Sequence, residues 1–110
     1  MANSYIAGTL VRVATYTGTV EAPVGGFRDL NGNLADPPVV TLTYRTREGG
    51  PLIVVTYPDA RIVRDDTGLY HSDLDTTGAF ATEWAYAWTG IGGSAQVVAE
   101  NYFNVRPVFS

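Results

Sequence analysis

The residues best suited to chemistry stand in one stretch, RDDTGLYHSDLD, residues 64 to 75. It holds the chain's single histidine, His71, together with Asp65, Asp66, Asp73 and Asp75. A histidine among carboxylates can form a general acid–base pair or ligate a cation. Spacing argues against a metal on one strand, because residues i and i+2 lie ~6.6 Å apart and would need ligands from a neighbouring strand. A second acidic run, DLNGNLAD at 29–36, resembles a calcium loop, but its glycine stands fourth where an EF-hand requires it sixth. Both stretches read as solvated strand and turn chemistry, so no metal is expected. Covalent catalysis is equally unsupported, with no cysteine and no G-x-S-x-G. GIGG at 90–93 precedes a strand pattern rather than a helix N-terminus that could hold phosphate. The expectation is no cofactor and no enzyme.

A third group, Trp84, Tyr86 and Trp88 in TEWAYAW, repeats at every second position and so lies on one side of a strand. Three aligned rings could stack on sugars. Each ring buries ~150–250 Å², however, and a domain this small is expected to spend them on its core. Glu83 then marks the opposite side, with Ala85 and Ala87, as the outer one.

The elements that position these residues read as strands throughout. Glycine and proline punctuate the chain at short intervals, and the segments between them alternate or are β-branched. Strands are predicted over 8–17, 39–46, 52–57, 61–64, 68–75, 82–89 and 95–105, with an extra ribbon in 19–35. Val40, Leu42 and Tyr44 share a core face opposite Thr41, Thr43 and Arg45. Tyr70, Ser72 and Leu74 share another, with His71, Asp73 and Asp75 on a wet face. In the last strand Val97, Ala99, Phe103 and Val105 are in phase and Asn101 interrupts them, so either a β-bulge shifts the phase, the reading preferred, or Asn101 is hydrogen-bonded inside. NGN at 31–33 signals a tight turn, DPP at 36–38 must precede its strand, and REGGP and GIGGS close hairpins.

Composition bounds the rest. The 110 residues suit one domain, 1–110, with 45% hydrophobic and 16% charged residues, a balance that folds rather than staying disordered. A net charge of −4 with seven scattered arginines leaves no basic stripe, so nucleic acid is set aside as a partner. No apolar run reaches the ~20 residues of a membrane helix, and the start lacks a secretory pattern, so no membrane partner and synthesis in the cytoplasm are expected. Without cysteine the fold relies on its core. The apolar terminal segments, 1–7 and 106–110, carry Tyr5, Ile6, Val108 and Phe109. These either fold over their own sandwich or serve as handles for a neighbouring subunit, and they are the candidate partner-binding residues.

Tyr70, in D-x-T-G-x-Y, admits two readings: a tyrosine corner at the start of an immunoglobulin F strand, or a core-facing residue of an E-like strand. Two predicted strands follow it where one should follow F. The E-like reading is preferred, and Ser72 is then a small buried hydroxyl.

The segments GTLVRVATY, FRDLNGNLADPPVVTLTYRTREGG, RIVRDDTGLYHSDLD and WAYAWTGIGGSAQVVAENYFNVRP carry a pattern over most of the chain. It has an opening V-R strand, D-P before V-T-L, D-x-T-G-x-Y, and W-x-Y-x-W before a closing F-x-V. In this it resembles a family of small Ig-like proteins encoded among the structural genes of tailed bacteriophages. TGTVEAPVGG, 17–26, departs from the pattern as an inserted ribbon. The resemblance implies an all-β, immunoglobulin-like antiparallel β-sandwich of seven or eight strands. It also implies a structural virion protein, a head decoration, cement or accessory protein docking on capsid, or alternatively a head–tail connector or tail component. Its partners would be other virion proteins of capsid or tail, with self-association into a homo-oligomer left open. A carbohydrate or host-surface binding module is the reading from another class, and it requires exposed aromatics.

Overall fold

The computed structural model describes residues 3–47, 49–77, 82–92 and 96–106. Among them the chain is all-β, without a helix. Ten strands are present: β1 (Asn3–Ile6), β2 (Leu10–Ala14), β3 (Tyr16–Gly18), β4 (Pro23–Gly25), β5 (Val39–Arg45), β6 (Ile53–Thr56), β7 (Val63–Asp66), β8 (Leu69–Asp75), β9 (Thr82–Ile91) and β10 (Gln96–Arg106). The count exceeds seven or eight because β1 is too short to show a pattern, and because the segment predicted as one strand over 8–17 divides into β2 and β3, the latter pairing with β4 as the ribbon.

A five-stranded sheet runs in the order β1-β10-β9-β5-β6, a three-stranded sheet in the order β2-β8-β7, and β3 pairs with β4 alone. All pairs are antiparallel except β1 with β10, which run parallel, so the expectation of a purely antiparallel sandwich is corrected there. The two larger sheets enclose one core in a sandwich-like arrangement. Val11 and Val13 of β2 and Tyr70 and Leu74 of β8 meet Val40 and Leu42 of β5, Val55 of β6, Trp84 and Trp88 of β9 and Phe103 and Val105 of β10. Period-two alternation delivers each of these side chains inward, and burial of so much aliphatic and aromatic surface is the main source of stability.

The connections follow their residue chemistry. At NGN, Gly32 adopts φ +81° and its N–H bonds the Asp29 carbonyl, while Asp29 Oδ1 accepts the N–H groups of Asn31 and Asn33. This closes a small turn bridged by Arg28 and Leu34. Asp36-Pro37-Pro38 ends immediately before β5.

Asn101 departs from expectation in an informative way. A bulge does interrupt β10, but between Val97 and Ala99, so Asn101 stays in register with Tyr86 and in phase with Phe103. Asn101 is exposed, Tyr86 is only half-buried, and Asn101 Oδ1 accepts the N–H of Tyr102. The polar residue is tolerated because it is open to solvent at this position.

Candidate functional site

The histidine predicted to be wet is buried. His71 is 8% exposed, because Asp65 of β7 and Tyr16 of β3 close over it. Asp65 is the extra residue of a bulge, since Arg64 pairs with Tyr70 and Asp66 with Leu69. Bulges turn a side chain out of the regular pleat. Here the Asp65 carboxylate reaches His71, with Nδ1 lying 2.8 Å from both of its oxygens. An ionised carboxylate only accepts, so Nδ1 carries the proton. The Tyr16 hydroxyl donates to Asp65 Oδ2 at 2.7 Å. Burial and that bond raise the Tyr16 pKa.

This arrangement supplies the oriented-base half of a hydrolytic triad. The group facing Nε2 is the Asp73 carboxylate at 4.0 Å, itself paired with Arg12 at 3.1 Å, where a nucleophilic hydroxyl or thiol would be required. Cross-strand help from β7 does bring an acid to the histidine. Among the described residues, though, no group of three or more histidines and carboxylates is arranged to hold a metal ion.

A second network fixes Tyr70. The ring is 2% exposed, in edge contact with Phe27 and Tyr57, and its hydroxyl donates to Asp36 Oδ1 at 2.8 Å. The same oxygen accepts the Gly68 N–H at 2.8 Å, and Oδ2 accepts Arg64 Nη2 at 2.8 Å and Nε at 3.1 Å. Arg64 also reaches the Thr67 hydroxyl. Partial burial alone would raise the Asp36 pKa, but the bonds from Arg64, Gly68 and Tyr70 outweigh it and hold the carboxyl below its usual range. Burial first, and Asp36 second, push the Tyr70 phenol up to about 12. Gly68 has φ +73°, and a Cβ there would stand 2.5 Å from the Phe27 carbonyl oxygen. D-x-T-G-x-Y and Asp-Pro-Pro, far apart in sequence, are therefore two halves of one fastening.

Tyr70 lies on β8, two strands follow it, and Ser72 is buried at its side. Its hydroxyl partner is a side-chain carboxylate, where a tyrosine corner would use upstream backbone. DPP reads in the sequence as a ladder breaker, and nothing local marks Asp36 as the partner of Tyr70, thirty-four positions away.

The aromatic row is not a platform. Trp84 and Trp88 are buried, at 4% and 0% exposure, and Trp84 packs on Tyr44 and Phe103. Neither indole N–H has a hydrogen-bond partner among the described residues. Of the candidate partner-binding residues, Tyr5 is half-buried edge-on against Phe103 at 5.6 Å, and Ile6 is exposed. Val108 and Phe109 lie outside the described residues.

The outer face of the five-stranded sheet is partly exposed, with Thr43, Arg45, Ala85 and Ala87 half-buried and Leu52 and Tyr102 exposed. A shallow depression there is lined by Thr43, Arg45, Leu52, Ala85, Ala87 and Tyr102. Chemistry-bearing side chains thus serve the fold's interior, and apolar surface lies at sheet edges and on this face, which describes an all-β sandwich-like domain. Comparison with protein-family models, curated proteins and solved structures finds no match for the chain.

Proposed function

We propose that the chain is a non-enzymatic structural component of a tailed-phage virion, a head decoration, cement or accessory protein that docks on capsid. The observation that carries this reading is the fate of its reactive groups: His71, Asp65, Asp36 and Tyr70 are tied into internal bonds that brace the fold. What remains for recognition is edge, face and end. The sequence resemblance supplies the biological setting. The sheet orders support the Ig-like part of it: β1, β2, β5, β6, β7, β8, β9 and β10 taken as A, B, C, C′, D, E, F and G give A-G-F-C-C′ facing B-E-D, with β3–β4 inserted. A rigid domain of this kind, repeated over a symmetric particle, turns weak individual contacts into firm attachment.

Partners on this reading are other virion proteins, and the chain is made in the host cytoplasm and ends in the particle. A head–tail connector or tail component is the alternative within the same class. A sugar-binding module is disfavoured by the burial of both indoles. Cryo-electron microscopy and quantitative mass spectrometry of particles purified from the phage encoding the chain test the proposal. A regular copy number on the head is expected; density on the tail selects the alternative, and particles free of the chain reject both.

A further inference from the structure

Of the four edge strands of the two larger sheets, two carry charge. β2 has Arg12 and β7 has Arg64, Asp65 and Asp66, whereas β1, NSYI, has none. The β6 edge has none either, and its strand IVVT is the more apolar of the two: residues 49–58, GGPLIVVTYP, are uncharged in a chain of net charge −4. Native sheets usually blunt an edge with charge, because unpaired N–H and C=O groups invite another strand.

The Tyr57 N–H bonds the Val40 carbonyl at 2.9 Å, which sets the phase of the β5–β6 ladder. Val55 with Leu42 and Ile53 with Tyr44 are then the hydrogen-bonded pairs, so Val54 and Thr56 direct their backbone groups to the free edge. Beside it Leu52 is 66% exposed and Val54 59%. LIVVTY at 52–57 is also the type of uncharged, β-prone hexapeptide that pairs readily when open.

We propose that β6 pairs antiparallel with β6 of a second copy of this chain. Val54 stands opposite the partner's Thr56, Thr56 opposite the partner's Val54, and each pair exchanges both N–H···O bonds across a two-fold axis. The charge distribution selects this occupant. Two copies of an acidic protein repel over most of their surfaces, but bring no like charges together at β6, and an antiparallel strand is complementary to itself. A basic partner would be drawn to acidic surface elsewhere. Pro51 and Pro58 bound the segment and confine the pairing to a short, closed interface rather than an extending ladder.

Sedimentation equilibrium of the purified full chain, from high-micromolar to submicromolar concentration, tests the pairing alongside amide hydrogen exchange. The expected mass rises with concentration from 11.8 kDa toward twice that value, while the amides of Val54 and Thr56 become protected. Val54→Lys places like charges across the axis at an exposed position and should weaken association at least about tenfold, with an unchanged melting temperature at submicromolar concentration, where both chains are monomers. Tyr102→Lys, on the same face but away from the edge, should leave association intact. A chain that stays monomeric throughout overturns the proposal, as does unchanged exchange at Val54 and Thr56 on association. Association abolished by Tyr102→Lys and indifferent to Val54→Lys also overturns it, pointing to face-to-face contact, and so does growth beyond a dimer.

Discussion

Replacing Asp36 with alanine should be among the most damaging polar substitutions in the chain. The change strands the buried Tyr70 hydroxyl and the part-buried Gly68 N–H, while Arg64, 38% exposed at its side chain, returns to water. A buried donor deprived of its partner costs about 1–3 kcal/mol, and more when the partner was charged, so the two together should cost about 3 kcal/mol. Against a total of roughly 5–15 kcal/mol for a domain of this kind that is a large fraction, and it corresponds to a fall in melting temperature of roughly 10 °C. Urea unfolding followed by circular dichroism measures it. Tyr70→Phe removes only the hydroxyl, and the double variant closes a thermodynamic cycle in which the coupling should be about 1–2 kcal/mol. If Asp36→Ala costs under about 0.5 kcal/mol, or the cycle shows no coupling, the fastening has been misread.

Five further outcomes follow from the same geometry. Gly68→Ala forces a side chain into a left-handed backbone 2.5 Å from a carbonyl oxygen and should cost more than about 2 kcal/mol, whereas Gly32→Ala, with open space at its Cβ, should cost about 1 kcal/mol by denaturant melts. The Asp36 pKa is depressed on folding, so its contribution is present above the unfolded value of 3.8 and is lost as pH falls through the lower folded value; Asp36→Asn should flatten acid unfolding in that window. The Tyr70 pKa is raised instead, so stability should fall as pH climbs from about 10 towards about 12, and Tyr70→Phe should remove that part of the alkaline loss. Tryptophan emission should be blue-shifted and resist acrylamide several-fold better than free indole, since both rings are inside; quenching at the free-indole rate would contradict the architecture. Removing residues 107–110 leaves every paired residue of β10 in place and should weaken incorporation into particles without lowering the melting temperature, and undiminished incorporation would discount Val108 and Phe109 as handles.

The strands from β5 onward were legible because alternation and punctuation agreed: VVTLTYR turns Val40, Leu42 and the half-buried Tyr44 to the core, and DPP and the following glycines mark its limits. Trp84 and Trp88 were legible for the same reason. β1 was missed because four residues, NSYI, offer too little pattern to announce a strand, and its partner β10 lies about a hundred residues away. His71 was assigned to water because alternation specifies the side of a sheet but not what lies over it. The Asp65 bulge and Tyr16 decide that, and both depend on pairing register. Asp36 was invisible as a ligand of Tyr70 for a similar reason, since thirty-four positions separate them. Proximity between distant segments is set by the closed fold, and single-residue preferences do not encode it.

The parallel union of β1 with β10 has a mechanical consequence. Asn3 lies across from Phe103 and Ile6 across from Arg106, so a pull applied through residue 3 against residue 106 drags the two strands past each other lengthwise. Every rung between them is then strained at once, rather than opened one after another as in a zipper. A chain tethered at both ends would bear tension through its strongest direction, and would give way only when that whole seam ruptured together.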